Sequence, residues 1–285
     1  PRHYLLENDG TGHFRDVTEQ LAPALLDFGA VSDMAWADLD GDSQNELIFA
    51  GHWNPIRVLR FNGSRWEPWA GNGLEQSSGL WNALKTVDAD GDGDLDLVAG
   101  NWGENTRLTA SPKQPLKLLR NDFDANGQEE PLVTYFHQGV ETPFASRDEL
   151  VKQMPFLQKT FRTYAGFARA SLQDLFGEEA LAAAREKKVV ELSSCLFRND
   201  GSGHFEKVRL PAMAQASAIF DFGIDDFNAD GRPDLLLLGN HYQISTQLGR
   251  LDALQGTVLC ADPAGNFLWE PGLTAPIGGA GRDWA

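Results

Sequence analysis

One acidic pattern occurs four times in this 285-residue chain and limits what the chain can fold into. Each copy has Asp at position one, Asp or Asn at positions three and five, and Asp or Glu at position nine, with Gly at position four, position six or both. The copies are DLDGDSQNEL from Asp38, DADGDGDLDL from Asp88, DFDANGQEEP from Asp122 and DFNADGRPDL from Asp226. Four aligned copies of one loop indicate a structure that is built from repeated units.

Each acidic loop lies between two segments that have the character of β-strands. A segment of alternating apolar and polar residues precedes the loop, and a short apolar run follows it. These patterns are typical of a half-buried strand and a fully buried strand. A second signature, two apolar strands around a turn that is Asn-Gly or Asn-Asp-Gly in most copies, predicts hairpins because these residues accept positive φ. The predicted hairpins span residues 5–17, 58–69, 195–208 and 258–271.

These repeats predict an all-β fold, a β-propeller. One twisted four-stranded sheet cannot bury both of its faces alone, but it can do so between two neighbouring sheets. We expect about four loop-bearing, four-stranded blades with partial blades at the two ends of the chain, so that residues 1–285 form one propeller segment. A β-sandwich would not repeat the loop at a fixed place, and the coils of a β-helix are shorter.

A helical insertion is predicted over residues 143–190, within the third loop-bearing blade. Ser146 and Glu149 have the spacing of a capping box at a helix N-terminus. Two roles are open for this insertion: it covers an exposed sheet edge or face, or it forms a surface that docks a partner.

The spacing of the acidic residues predicts calcium sites. Calcium takes six to eight oxygen ligands in a flexible geometry, whereas magnesium prefers fewer protein oxygens and keeps more water. Positions one, three, five and nine supply side-chain oxygens, and position seven supplies its backbone carbonyl. The last carboxylate ligand of the loop comes at position nine, whereas in an EF-hand it comes at position twelve. The shorter loop suits a connection between two strands. The predicted ligands of about four Ca²⁺ ions are Asp38, Asp40, Asp42, Gln44 and Glu46; Asp88, Asp90, Asp92, Asp94 and Asp96; Asp122, Asp124, Asn126, Gln128 and Glu130; and Asp226, Asn228, Asp230, Arg232 and Asp234.

The charge of the chain is concentrated in these loops. The formal net charge is −17, from 41 acidic and 24 basic residues, and fourteen of the acids are predicted to bind metal through their side chains. The sequence has no basic stripe that could replace the counterions of a nucleic acid, so nucleic-acid partners are excluded. No apolar run is long enough to insert into a membrane. Two cysteines, Cys195 and Cys260, are too few for a disulfide framework.

The acidic loops, together with the hairpin sequences NDGTGHF and NDGSGHF, resemble the FG-GAP/VCBS repeat family, whose propellers include the integrin α-subunit head. The resemblance covers nearly the whole chain, and residues 143–185 are similar to the helical insert of large bacterial exported VCBS-repeat proteins. It implies a calcium-stabilised, extracellular or cell-surface module that serves binding or cell adhesion. Because such propellers usually have seven blades, we expect this chain to be a segment of a longer polypeptide, and the final GGAGRDWA resembles the start of a further unit. The alternative is that the terminal pieces of the chain join into one shared blade.

If the strand order follows this family, the connections that leave the second strands form one face of the propeller. Aromatic and amide side chains on a shallow surface suit the recognition of a protein or a glycan. The alternative is that the tryptophans of this face pack between blades. The residues of the predicted ligand face are His52, Trp53, Asn101, Trp102, Asn240, His241 and Tyr242.

Two other functions remain open from the sequence. The first is a glycan-cleaving hydrolase or lyase, which would need two opposed carboxylates outside the metal loops. Asp33, Asp221 and Glu104 are candidates, but the sequence does not place them together and shows no recognisable catalytic motif. The second is a structural spacer in a large surface protein. A non-catalytic, calcium-dependent binding module is the function that the sequence favours.

Overall fold

A computed structural model describes residues 2–242, 244 and 248–274 of the chain. The chain divides into two compact units, the first formed by residues 1–107 and 191–285 and the second by residues 108–190. The final GGAGRDWA, which resembles the start of a further unit, lies outside the described residues.

The secondary structure is mostly β. In chain order, the strands of the described residues are β1 (Leu6–Asn8), β2 (Phe14–Asp16), β3 (Ala30–Ala37), β4 (Glu46–Asn54), β5 (Arg57–Phe61), β6 (Trp66–Pro68), β7 (Gly79–Leu80), β8 (Ala83–Val87), β9 (Asp96–Gly100), β10 (Leu116–Asn121), β11 (Glu130–His137), β12 (Val140–Pro143), β13 (Arg185–Val189), β14 (Cys195–Asn199), β15 (Phe205–Arg209), β16 (Ile219–Asp225), β17 (Asp234–Gly239), β18 (Thr257–Ala261) and β19 (Phe267–Thr274). The α-helices are α1 (Thr18–Leu21), α2 (Arg147–Gln153), α3 (Phe156–Thr160), α4 (Tyr164–Arg169), α5 (Leu172–Phe176) and α6 (Glu178–Ala183), and 3₁₀ turns cover Pro23–Asp27 and Ala212–Gln215.

In the residues that the structure describes, the first unit contains three large antiparallel sheets. Their strand orders are β3-β4-β5-β6, with β7 also paired to β4, then β8-β9-β14-β15, and finally β16-β17-β18-β19. The first strands of the sheets are neighbours, because β8 lies between β3 and β16. The predicted hairpins are confirmed as the pairs β1–β2, β5–β6, β14–β15 and β18–β19.

Apolar side chains fill the space between consecutive sheets of this unit. Ile48 and Val58 of the first sheet pack with Leu97 and Phe197 of the second. A second core joins the second sheet to the third. Strands β9 and β17 are buried at every residue, because both faces of their sheets are covered, and this explains their unbroken apolar sequences. This is the packing of propeller blades, and the predicted all-β propeller fold is confirmed.

The second sheet is assembled from two distant parts of the chain. Strand β9 ends at Gly100, and its next neighbour in the sheet, β14, begins at Cys195. The two strands are antiparallel, with Leu97 opposite Phe197. The chain of the second unit therefore lies, in sequence, between the second and third strands of one sheet.

The second unit combines a sheet of order β12-β11-β10-β13 with the helices α2–α6, which connect β12 to β13. The predicted capping box at Ser146 and Glu149 is confirmed, with the hydroxyl and the carboxylate each bound to the other residue's backbone N–H. The helices are short, and they are stabilised by packing their apolar residues, such as Leu150 and Leu157, against Leu132 of the sheet.

Two further predictions can be compared with the described residues. None of their helices has both the length and the apolar composition that crossing a bilayer requires. Cys195 and Cys260 are both free thiols. Burial raises the pKa of Cys195 to about 12, so this thiol stays protonated at neutral pH.

Candidate metal centres

Each acidic loop connects two neighbouring strands of one sheet: the first and second strands in the three large sheets of the first unit, and the central strands β10 and β11 in the second unit. In each loop, position one closes the turn through both oxygens of its carboxylate. In the second loop, Oδ1 of Asp88 accepts from the N–H of Gly91 at 2.8 Å and Oδ2 from the N–H of Gly93 at 3.1 Å. The carboxylates of Asp38, Asp122 and Asp226 each accept two backbone N–H groups in the same part of their own loops. The loops therefore share one hydrogen-bonded frame, which their own aspartates supply.

Positions four and six are left-handed in every loop. In the second loop both are glycine, with φ of 79° at Gly91 and 96° at Gly93. The other loops place a non-glycine residue at one of the two positions, with φ of 67° at Ser43, 56° at Ala125 and 62° at Ala229. A left-handed conformation costs such residues about 1–2 kcal/mol, so the frame around position one must offset this cost.

Positions three and five turn their side chains back onto the loop. Oδ1 of Asp92, for example, accepts from the N–H of Asp94 at 2.9 Å. One oxygen from each of three acidic residues then lies within 4.8 Å of the other two in three of the loops. These triads are Asp38, Asp40 and Asp42 in the first loop, Asp88, Asp90 and Asp92 in the second, and Asp122, Asp124 and Glu130 in the third.

Position nine anchors each loop to its sheet. Asp96 is 2% exposed; its Oδ2 accepts from the N–H of Ala89 at 3.2 Å and its Oδ1 from that of Asn199, in the third strand, at 2.8 Å. Asp234 repeats both contacts, with the N–H groups of Phe227 and Ala261, each at 3.0 Å. Glu46 and Glu130 also accept from the N–H of position two, in both cases at 2.9 Å. The predicted closing ligand therefore also has a structural role.

Burial perturbs the acid groups at the base of the loops. It raises the pKa of Asp96 to about 6, although two N–H groups oppose the shift. Burial also raises the pKa of Glu46, and the other acids of its loop add to the effect. A cation among these oxygens would stabilise their charged forms and lower both pKa values.

Two arginines in equivalent positions contact the first two loops. Nη2 of Arg60 lies 2.8 Å from Oδ2 of Asp40, and Nε of Arg198 lies 3.8 Å from Oδ2 of Asp90. Each arginine follows the third-strand residue that pairs with the residue after position nine, and each contacts position three of its loop. These two arginines were not predicted from the sequence as partners of the loops. Their signal is an arginine at the same register, just before the hairpin turn.

The fourth loop carries its own cation. The guanidinium of Arg232, at position seven, pairs with the carboxylate of Asp230, and its Nε donates to the carbonyl of Ala261 at 3.0 Å. The amide of Asn228 also donates to Oδ2 of Asp230, at 2.9 Å. Arg232 was predicted as a ligand through its backbone carbonyl; its side chain folds back onto the loop, and the role of the carbonyl stays a prediction.

The donor chemistry of the first three loops fits a hard divalent cation. Their converging atoms are all oxygens, and a carboxylate oxygen that accepts one N–H keeps a second lone pair for a metal. The fourth loop does not fit in this arrangement, because Asp230 is occupied by Arg232 and Asn228. Among the described residues, no triad of acidic oxygens forms in this loop.

The predicted ligand face contains both buried and exposed side chains. Asn101 is 0% exposed and uses its amide to bind backbone groups, among them the N–H of Leu80 and the carbonyl of Ser193. Asn240 likewise holds both the N–H and the carbonyl of Leu254. These two amides shape the connections. The members of the face that are at least partly exposed to solvent are His52, Trp53, Trp102, His241 and Tyr242.

The three candidate catalytic acids separate into two places. Nζ of Lys85 lies 3.0 Å from Oδ1 of Asp221, and both residues act electrostatically on Asp33, whose Oδ2 accepts from the N–H of Leu84 at 2.7 Å. Glu104 belongs to another cluster, paired with Arg209. The structure therefore brings Asp33 and Asp221 together, on the first strands of the first and third sheets, with a lysine beside them.

The comparison with known families agrees with the repeated loops. Residues 38–99 match the model of the FG-GAP-like repeat, a segment that starts at the first acidic loop and includes the whole second loop. A search of the curated proteins found no match. The predicted resemblance to the FG-GAP/VCBS repeat family is therefore confirmed by this match, which covers residues 38–99 of the chain.

Proposed function

We propose that this protein is a non-catalytic, calcium-binding propeller module that recognises a protein or a glycan outside the cell or at its surface. The observation that carries the proposal is the convergence of three acidic oxygens in each of the first three loops, on a hydrogen-bonded frame common to all four. Acidity that served only solubility would spread over the surface instead of converging at equivalent places in repeated sheets.

Bound calcium would supply positive charge among oxygens that otherwise repel one another. Positions one, three and five of the first three loops would hold it. In the second of these loops, position nine also binds the third strand, so the chain's own residues connect this ion site to the packing of its sheet. Calcium that binds only the folded state therefore stabilises the fold by mass action.

An extracellular location follows from the affinity expected of such loops. Sites of this class in extracellular modules bind calcium with dissociation constants of about 10⁻⁴–10⁻³ M, so they fill where calcium is near millimolar. Recognition is assigned to the exposed members of the ligand face, around Trp102, His241 and Tyr242. The rings of Trp102 and His241 lie 5.5 Å apart between centroids, a rigid aromatic surface of the kind that binding sites use.

The metal part of the proposal is tested by calorimetric titration of the chelator-treated protein with calcium and with magnesium. We expect calcium to bind more tightly than magnesium, with about three ions bound, and to raise the melting temperature. If calcium binds no better than magnesium, or leaves the melting temperature unchanged, the metal part of the proposal is wrong.

The recognition part needs a separate test. A glycan array and a panel of extracellular matrix proteins would be probed in calcium and in chelator, with the variant Tyr242→Ala as a ligand-face probe and Tyr164→Ala, an exposed tyrosine of α4, as its matched control. We expect binding that requires calcium and is weakened only by the first substitution. Turnover of a bound glycan would instead identify the protein as an enzyme.

A further inference from the structure

A groove on the first sheet contains an arginine that the described protein does not neutralise. The groove has a volume of about 410 Å³ and lies between the 3₁₀ turn Pro23–Asp27 and the chain that follows β6. The residues that line it include Ile56, Arg57, Phe28 and Trp69. This volume is within the range of small-molecule sites, which are mainly apolar with a few placed polar groups.

The guanidinium of Arg57 stacks on an aromatic ring. Its central carbon lies 4.8 Å from the centroid of the Phe28 ring, and Phe28 in turn packs on Phe49, at 4.8 Å between ring centroids. Among the described residues, Arg57 forms no salt bridge and no side-chain hydrogen bond, and only Asp27 acts on it electrostatically. Stacking on one face of a guanidinium leaves its in-plane N–H donors directed outward, in the fork that matches a carboxylate.

Partial burial makes this arrangement costly in the absence of an anion. Burial lowers the pKa of Arg57 below its ordinary value, and Asp27 opposes the shift only in part. A carboxylate in the groove would pair with the arginine and remove this cost. Arg60, whose guanidinium carbon lies 4.5 Å from the centroid of the Trp69 ring, is already paired with Asp40 of the first acidic loop.

Glu75 limits the charge that the ligand can carry. It lines the same groove, and the N–H groups of Gly71 and Asn72 donate to its Oε1. Backbone hydrogen bonds lower the pKa of Glu75, so it is an anion at neutral pH. A second carboxylate on the ligand would face this charge, and the chain as a whole carries −17. The groove therefore suits one negative charge and an apolar body.

We propose that this groove binds a small monocarboxylate with an apolar body, through a two-pronged contact from Arg57 and apolar contact with Phe28 and Trp69. The site is separate from the predicted ligand face, and its proposed function does not depend on bound calcium.

The test uses 4-phenylbutyrate as the probe and 4-phenylbutan-1-ol as its uncharged counterpart, titrated into the full chain by calorimetry in chelator. We expect the acid to bind at least about tenfold more tightly than the alcohol, because only the acid forms a charge-assisted contact. Equal binding of the two compounds, or no binding of the acid up to its solubility limit, would overturn the proposal. Because the assay contains no calcium, its failure would not bear on the calcium proposal.

Three variants separate this site from a general apolar patch. Arg57→Gln should weaken the acid at least about tenfold and leave the alcohol unchanged. Ala70→Phe, at an exposed position on the rim, should exclude both compounds while the arginine remains. Arg65→Gln is the matched control, since Arg65 lies on the same hairpin but pairs with Glu67 at 2.7 Å. Melting curves establish that each variant is folded, and unchanged affinity in a folded Arg57→Gln protein would contradict the proposal.

Discussion

The second and fourth acidic loops have the same frame but different charge. In both, position one accepts two loop N–H groups, and position nine accepts one N–H from the loop and one from the third strand. The second loop has aspartate at positions one, three, five, seven and nine, and its nearest arginine, Arg198, is 3.8 Å from Asp90. The fourth has Asn228 at position three and places Arg232 directly on Asp230.

This difference separates two tasks that the repeated pattern combines. Positions one and nine, together with the left-handed residues at four and six, shape the turn and attach it to the sheet. Positions three and five determine how much uncompensated negative charge the turn holds. The second loop therefore holds negative charge that a bound cation would offset, whereas in the fourth loop a side chain of the chain itself supplies the positive charge.

The largest effect is expected at position nine, where the two loops should respond alike. Asp96→Ala and Asp234→Ala each leave two backbone N–H groups without their acceptor, in places that are 2% and 0% exposed. Unsatisfied buried donors cost about 1–3 kcal/mol each, so we expect each variant to lose about 3 kcal/mol of unfolding free energy in chelator. Denaturant unfolding measures this loss.

The control for position nine is Glu206→Ala, which removes one exposed carboxylate from β15 of the second sheet. It should change the unfolding free energy by less than about 0.5 kcal/mol. If Asp234→Ala is as mild as this control in chelator, position nine does not anchor the fourth loop as the hydrogen bonds indicate.

The next effect should distinguish the two loops. Asp92→Ala and Asp230→Ala remove the same position-five carboxylate from the second and the fourth loop. Calcium at one hundred times its dissociation constant adds about 2.7 kcal/mol per site, so Asp92→Ala should lower the calcium-dependent gain in unfolding free energy by about that amount. Asp230→Ala should leave the gain unchanged. Equal losses in the two variants would show that the fourth loop binds calcium despite Arg232.

A smaller effect is expected from a substitution that makes the charge of the fourth loop more like that of the second. Arg232→Gln removes the guanidinium from Asp230, and its pair is partly exposed, so the loss in chelator should be about 1 kcal/mol or less. Calcium should then stabilise the variant more than the parent, with one additional ion in a calorimetric titration. Arg15→Gln, whose arginine pairs with Glu7 on the β1–β2 hairpin, controls for the change in net charge. If the ion count stays the same, Arg232 does not determine the occupancy of this loop.

The parts of this structure that could be predicted from the sequence are those that depend on local chemistry. The acidic turns, the hairpins and the capping box at Ser146 each arise from residues a few positions apart. The pairing of β9 with β14 could not be predicted, because it joins segments that are separated in sequence by the whole second unit. Asn101 was predicted from the sequence to be part of the ligand face. In the structure it is buried, and its amide oxygen accepts a hydrogen bond from the backbone N–H of Leu80. From the sequence, the side chain of Arg232 at position seven is expected to face solvent. In the structure its Nε donates to the carbonyl of Ala261, a residue that is distant in sequence.

The smallest effect concerns pH, and here the two loops should differ in sign when no metal is present. Burial raises the pKa of Asp96 to about 6, above its ordinary value of 3.8, so the folded state binds more protons than the unfolded state between these two pH values. Stability from this group is therefore greatest at low pH and falls as the pH rises through about 6, a change of about 1 kcal/mol between pH 5 and 7. Hydrogen bonds from backbone N–H groups, Gly231 first, lower the pKa of Asp226 in the fourth loop, so its contribution is present above its unfolded value and is lost only at more acidic pH. Unfolding free energies at pH 5 and 7 in chelator, measured for the parent and for Asp96→Asn, check the sign. The parent should gain more stability than the variant on acidification to pH 5, and equal gains would mean that Asp96 does not carry the raised pKa.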